Sequence, residues 1–196
     1  MPRKKSVKGS AQDFIASADE VTAFLAAVCP GQTDQRVSWL HNYAIIRFYK
    51  QFESLMLDAL VGAINNDTAI ITSTTGVKFP KHLTDEICEF LIVGTGYFDF
   101  KGRDGLIKTL KQFVPDAHYL VAAVKRAPYR EALERVSALR NFAAHESDQS
   151  KRAALKTIGG QRLESSGSWL KRGNRFQGIV DGLKALAAEI ENAAPY

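Results

Sequence analysis

Apolar residues recur along this chain mainly at intervals of three and four, which is the spacing of amphipathic helices. The longest such run covers residues 34 to 65, where the apolar positions include Val37, Leu40, Ala44, Phe48, Leu55, Ala59 and Ala63. Further apolar residues lie beside these positions, so the helix is apolar over most of its circumference. Such a helix is expected at the centre of a bundle.

The same spacing predicts further helices, and proline and glycine residues mark several of their ends. They are expected over residues 11 to 28, 83 to 93, 104 to 114, 116 to 126, 129 to 156 and 174 to 193. The connection from 66 to 82 is β-prone and predicts a short hairpin or an extended loop. The stretch "GGQRLESSGS" predicts a flexible turn. The expected fold class is therefore all-α: a helical bundle with two long central antiparallel helices.

Chain length and composition point to one soluble globular domain, because 196 residues with 45% apolar and 24% charged side chains can build a single core. Residues 1 to 10 are basic and predict a disordered tail, so the domain covers residues 11 to 196. Cys29 and Cys88 are far apart and outside any CxxC motif, which argues against a disulfide framework or a zinc site. No signal peptide or membrane span is evident, so a cytoplasmic protein is expected.

Positive charge is in excess, with a formal net charge of +5. Apart from the tail, the basic clusters are Lys125/Arg126/Arg130, Lys151/Arg152 and Lys171/Arg172/Arg175. Clusters of this size attract a phosphate backbone in some proteins and are ordinary solvated surface in others. Charge alone leaves both interpretations open.

The stretch "ALRNFAAHES", residues 138 to 147, carries polar groups of catalytic type on a predicted helix. Asn141 and His145 are four residues apart and therefore share a face. Arg140 lies beside the apolar stripe, and its side chain is long enough to bend toward His145. Small alanines between them keep the surface low, so another helix or a substrate can approach closely.

Glu53 is a second unusual residue, because apolar residues surround it at helical spacing in the run from 34 to 65. A carboxylate within an apolar face is costly unless it is paired. Arg140, on the apolar side of its own helix, is the obvious partner. We therefore expect Glu53 to orient Arg140 across the core, either as support for catalysis or as a structural ion pair.

These features resemble the HEPN superfamily, the helical domains often found as ribonuclease toxins and antiviral effectors. Its motif is Arg-x4–6-His, commonly with Asn directly after the Arg, and "RNFAAH" matches at Arg140, Asn141 and His145. "FYKQFESLMLDAL" resembles an early family helix with Glu53 at the acidic position. The similarity covers residues 34 to 156. A second match, "RVSWLH", lies near a helix start and lacks the Asn, so the later pair is favoured.

The resemblance implies cleavage of RNA without a metal or other cofactor, by attack of the 2′-OH on the adjacent phosphorus. In that role His145 transfers a proton, Arg140 holds the phosphate, Asn141 positions a phosphate or the His145 ring, and Glu53 supports Arg140. Family members usually pair two protomers around a shared cleft, which implies a homodimer. Some family toxins carry a modified Tyr two residues after the His. Ser147 stands there, so a different antitoxin, a defence-system partner or no such partner is expected.

The sequence leaves two other functional interpretations open. A non-catalytic HEPN-like module that binds RNA or protein would keep the bundle, and a helical scaffold would have no affinity for RNA. His41, His82 and His118 share no metal-ligand spacing and are expected to be structural or at the surface. The aromatic residues Tyr97, Phe98 and Phe100 are expected to plug the core and not to stack on bases.

Overall fold

The computed structural model describes residues 4 to 195, and within that range the chain forms ten α-helices and no strand. The helices are α1 (Val7–Val28), α2 (Asp34–Asn66), α3 (Thr68–Thr75), α4 (Asp85–Val93), α5 (Gly102–Leu110), α6 (Tyr119–Lys125), α7 (Ala127–His145), α8 (Asp148–Thr157), α9 (Ser166–Leu170) and α10 (Arg175–Ala193). The all-α prediction is confirmed. None of these helices is both long and apolar enough to cross a membrane.

The central element is α2, as the apolar run predicted. Helices α1, α7 and α9 all pack against it. Its Phe48 and Phe52 are fully buried and pack against Phe14 of α1, with ring centroids 5.5 and 5.8 Å from the Phe14 ring. Burial of one such ring contributes about 1.5–3 kcal/mol, so this helix anchors much of the core.

Helices α2 and α7 run antiparallel. Near the start of α2, Trp39 lines a surface pocket together with Glu146, the residue after the last residue of α7. Further along α2, Glu53 contacts Arg140, which lies earlier in α7. Residues later in α2 therefore lie beside residues earlier in α7, and Glu53 of α2 faces Arg140 of α7.

The stretch predicted as a flexible turn, residues 159 to 168, is turn and loop up to residue 165, but its last three residues begin α9, which packs against α2, so the prediction is wrong for those three. The Gly167 N–H donates to Asn42 Oδ1 at 2.6 Å, and Ser166 Oγ donates to the Leu139 carbonyl at 2.7 Å. A Cβ at position 167 would lie 1.8 Å from the Ser38 carbonyl oxygen. Only glycine allows this backbone approach, which holds α9 against α2. The bond from Ser166 holds the same helix against α7.

The hairpin or extended loop expected over residues 66 to 82 is wrong for the first part of that range, where the chain forms α3, whereas residues 77 to 82 form a loop. The Asp67 side chain caps its start by accepting from the Ala69 N–H at 3.0 Å. Gly76 ends it in the left-handed conformation, with φ of 72°. These two caps outweigh the β propensity of the threonines and isoleucines between them.

The basic tail is ordered from residue 4, so the prediction of disorder over residues 1 to 10 is wrong for residues 4 to 10; residues 1 to 3 lie outside the described residues. Ser6 caps α1, and Val7 is fully buried in the core. Lys4 Nζ donates to the Asn65 carbonyl at 2.7 Å, and Lys5 forms an ion pair with Asp58. The tail is held because its lysines meet acceptors along α2.

Candidate active site

The long helix expected over residues 129 to 156 is two helices, α7 and α8, so that prediction is wrong. Glu146 breaks it in the left-handed conformation, with φ of 47° and ψ of 24°. Ser147 then begins α8 with a capping box that it shares with Ser150. His145 is consequently the last residue of α7, and its exposed side chain stands at the corner between the two helices.

Three of the four predicted site residues line one cleft of about 1200 Å³. Arg140, Asn141 and His145 form part of its wall along α7, and α8 and the segment leading into α5 supply other parts. Ser137 Oγ accepts from the Gly102 N–H at 3.1 Å, which ties that segment to α7. The cleft is open to solvent, so a substrate could reach all three side chains.

The fourth predicted residue, Glu53, lies behind Arg140 and is only 5% exposed. Its Oε1 is 3.8 Å from Arg140 Nη2, so the expected contact across the core is present. Arg140 Nη1 also donates to Asn141 Oδ1 at 2.8 Å. The guanidinium is therefore held between a buried carboxylate on one helix and an amide on its own.

Burial raises the pKa of the Glu53 carboxyl above its usual range, because the charged form loses solvation. The cations Arg140 and Lys50 act in the opposite direction, and Asp99 adds to the increase. Lys50 Nζ lies 3.8 Å from Glu53 Oε2. One carboxylate thus faces two cations, and the cluster is sensitive to the protonation of that single group.

Tyr49 is a member of this cluster that the sequence interpretation missed. Its ring lies under the Arg140 guanidinium, with Cζ 4.6 Å from the ring centroid, and its hydroxyl donates to the Phe100 carbonyl at 3.1 Å. Burial and the charge of Glu53 both raise the Tyr49 pKa above its usual range. The signal was its position four residues before Glu53, which places both side chains on one face of α2.

The cleft carries charges of both signs in nearly equal number. Its carboxylates are Asp99, Asp104, Glu131 and Glu134. Its lysines and arginines are Lys101, Arg130, Arg140 and Lys156. Attraction for a phosphate is therefore not a property of the whole cleft.

The second motif match, Arg36 and His41, does not form a comparable site. His41 Nδ1 lies 2.8 Å from the Val37 carbonyl, and its ring packs edge-on against Phe176. Burial lowers the His41 pKa, so this imidazole favours its neutral form. His41 is structural, as the sequence predicted.

The predictions for the other two histidines and for two of the three aromatic residues agree with the structure, and the prediction for Tyr97 does not. His118 caps α6, and His82 is exposed, which agrees with structural or surface roles. Phe98 and Phe100 are buried as expected, whereas Tyr97 is 94% exposed and does not plug the core. Among residues 4 to 195 no three His, Cys, Asp or Glu side chains are grouped closely enough to hold a metal ion.

Comparisons of the chain with family models, with curated proteins and with solved structures give no match. The resemblance to the HEPN superfamily therefore rests on the Arg140–His145 motif and on the order of the helices around it.

Proposed function

We propose that this protein is a metal-independent endoribonuclease of HEPN type. The observation that carries the proposal is that Arg140, Asn141 and His145 line a single cleft, while Glu53 and Tyr49 hold the arginine from behind. A fixed guanidinium and an exposed imidazole that line the same cleft supply the two functions that RNA cleavage needs, charge stabilisation and proton transfer.

The proposed reaction uses a nucleophile that the substrate itself carries. Neutral His145 accepts the proton of a 2′-OH, and the 2′ oxygen attacks the adjacent phosphorus. The bond from phosphorus to the 5′ oxygen breaks, and that oxygen leaves with a proton from a general acid. Arg140 donates to the non-bridging oxygens as their charge develops. The products are a 2′,3′-cyclic phosphate and a 5′-OH.

The reaction needs both a base and an acid, whereas each chain supplies one histidine to the cleft. A homodimer that joins two motif helices around a shared site would supply the second group. The exposure of His145 at the corner of α7 and α8 leaves it accessible to a partner protomer. In this proposal the protein acts in the cytoplasm as a toxin or an antiviral effector, alone or under an antitoxin or a defence-system partner.

The mixed charge of the cleft favours one alternative, a non-catalytic HEPN-like module that binds a protein or RNA. Four carboxylates in the wall reduce the attraction for a polyanion and offer partners for basic groups of a protein. This alternative predicts folded protein that binds its partner and leaves RNA intact. It makes no demand on the imidazole of His145.

A test of the chemistry compares three substrates of one sequence: RNA, 2′-O-methyl RNA and DNA, each incubated with the purified protein in EDTA. We expect cleavage of RNA alone, with 3′ ends that carry a cyclic phosphate and 5′ ends that a kinase can label directly. Cleavage of the 2′-O-methyl strand or of DNA would contradict attack by the 2′-OH. Intact RNA in every reaction would favour the binding module.

A further inference from the structure

The outer face of α2 carries an exposed stripe of aromatic and basic side chains that take no part in the proposed reaction. The stripe consists of Arg36, Trp39, Tyr43, Arg47 and Lys50. Their spacing of three and four residues confines them to an arc of about 80° and a length of about 21 Å along the helix. Trp39 is 52% exposed and Tyr43 is 71% exposed, which is unusual for large rings on one helix face.

The cations of this stripe are poorly neutralised. From residue 34 to 54 the only carboxylates are Asp34 and Glu53. Asp34 pairs with Lys171, and Glu53, inside the bundle, pairs with Lys50 alone among the stripe cations. Within residues 4 to 195 no carboxylate forms an ion pair with the two stripe arginines, and Arg36 donates to the Gln32 amide oxygen at 3.4 Å. The stripe therefore has free positive charge to offer an anion.

Each end of the stripe lies near a residue that adjoins the candidate active site. At one end Trp39 lines a pocket of about 290 Å³ with Glu146, the residue that follows His145. At the other end Lys50 contacts Glu53, whose other oxygen faces Arg140. A strand that follows the stripe would thus run along α2 from the pocket at Glu146 toward the Glu53–Arg140 pair.

We propose that this α2 stripe binds a single-stranded segment of RNA next to the nucleotide that is cleaved, an inference that rests on the proposed function. The cleft itself has no net positive character, so affinity for a polyanion needs cations elsewhere. Alternating cations and exposed rings suit a single strand, because the cations follow the phosphates and unpaired bases stack on the rings. Bases paired in a duplex are not free to stack in this way.

Charge disfavours a second copy of the chain as the occupant. In a two-fold symmetric contact the same face meets itself, so Arg36, Arg47 and Lys50 would face the same three cations. Like charges brought together in this way oppose association, whereas a phosphate backbone complements them. An RNA strand is therefore the occupant that the stripe fits better.

The test measures binding apart from cleavage, with a fluorescent single-stranded 2′-O-methyl RNA of about 12 nucleotides, a length within the usual site size. Fluorescence anisotropy gives the affinity of the parent and of Trp39→Ala, Tyr43→Ala and Arg47→Gln. Matched controls are Phe90→Ala on α4 and Lys81→Gln before it, both of which replace exposed side chains away from the stripe. Circular dichroism checks that each variant is folded.

Trp39 is also a direct reporter, because the other tryptophan, Trp169, is only 3% exposed. Stacking of a base on the Trp39 indole should quench the accessible part of the tryptophan emission as RNA is added. Trp39→Phe should keep most of the affinity, since it keeps an aromatic face, and should lose the quenching. Trp39→Ala should lose both.

We expect each aromatic-to-alanine variant to bind about tenfold more weakly, as the loss of one stacked base predicts, while the controls match the parent. Unchanged affinity in the three stripe variants would overturn the proposal. So would a change of oligomeric state in light scattering with unaltered RNA affinity, which would assign the stripe to a second copy. Cleavage of unmodified RNA by the parent is scored separately. Its absence together with stripe-dependent binding would contradict the nuclease and not the stripe.

Discussion

Arg140 is held on three sides by residues that differ in kind. Glu53 supplies a buried charge, Tyr49 an aromatic face and Asn141 an amide oxygen at 2.8 Å. A guanidinium on a free side chain would lose considerable rotamer entropy when it binds a phosphate. Here much of that ordering is already present in the folded protein, which suits a group that must meet developing charge in a defined direction.

The first prediction concerns the stability of the buried carboxyl. Because burial raises the pKa of Glu53, its folded form binds the proton more tightly than its unfolded form. Its stabilising contribution is therefore full below the ordinary value of 4.5 and is lost as the pH rises through the raised pKa. Urea unfolding from acid to neutral pH should show the parent losing stability relative to Glu53→Gln as the pH increases. If the stability of the parent relative to Glu53→Gln increased with pH instead, the predicted direction would be contradicted.

The second prediction treats Tyr49 as a positioning residue. Tyr49→Leu removes the ring under Arg140 and should lower kcat/KM for RNA cleavage about 5- to 30-fold, the equivalent of about 1–2 kcal/mol of cation–π interaction. Tyr49→Phe keeps the ring face and loses only the bond to the Phe100 carbonyl, so it should stay within about threefold of the parent. Steady-state kinetics should show the loss in kcat, since orientation matters most in the transition state. Equal rates for Tyr49→Leu and the parent would contradict a positioning role for Tyr49.

At the scale of elements, α9 shows how one glycine can fix a whole helix. Its backbone at Gly167 meets the backbone of α2 at Ser38 and Asn42 with no room for a side chain. The same short helix donates to the Leu139 carbonyl of α7 through Ser166. It therefore contacts both α2 and α7, and its contact with α7 is at Leu139, the residue directly before Arg140.

The third prediction follows from that contact. Gly167→Ala places a methyl group where the Ser38 carbonyl lies and should destabilise the protein by about 3 kcal/mol or more. Gly178→Ala in α10 is the matched control, because a Cβ there meets no atom within 4 Å. Alanine at 178 should be stabilising by up to about 1 kcal/mol. Urea unfolding of both variants checks this pair, and equal stabilities would contradict the close packing of α9 on α2.

The elements that could be predicted from sequence are those with long amphipathic runs. Residues 34 to 65 and 174 to 193 match α2 and α10 within one residue at each end. The short helices were harder, since α3 depends on the caps Asp67 and Gly76 more than on the residues inside it. The break at Glu146 was missed because the apolar spacing continues past it, although Ser147 is a typical capping residue.

At the scale of the whole molecule, the candidate site joins residues that are distant in sequence. Pairing of Glu53 with Arg140 could be predicted, because a buried carboxylate needs a cation and few cations lie on an apolar face. The sequence places Tyr49 on the same face of α2 as Glu53, but the position of its ring under the guanidinium depends on how α2 and α7 pack. The mixed charge of the cleft was equally hidden, because Asp99 and Glu134 reach it from different elements.

The fourth prediction concerns assembly. If two protomers share a site, the protein should be a dimer in multi-angle light scattering, and cleavage per protomer should fall on dilution below the dissociation constant. A mass of one chain, with undiminished activity at every concentration, would contradict the shared site. A dimer whose activity does not depend on its dissociation would show that the second copy contributes no catalytic group.

The measurement that tests the central claim most directly is cleavage of mixed cellular RNA in EDTA by the parent, Arg140→Ala and His145→Ala at equal concentration. His82→Ala, at an exposed histidine outside the cleft, is the control. We expect the parent and the control to cleave, leaving cyclic-phosphate ends, and each motif variant to lose at least about 100-fold in rate. Equal cleavage by all four folded proteins would mean that the helix at Arg140 has no catalytic role.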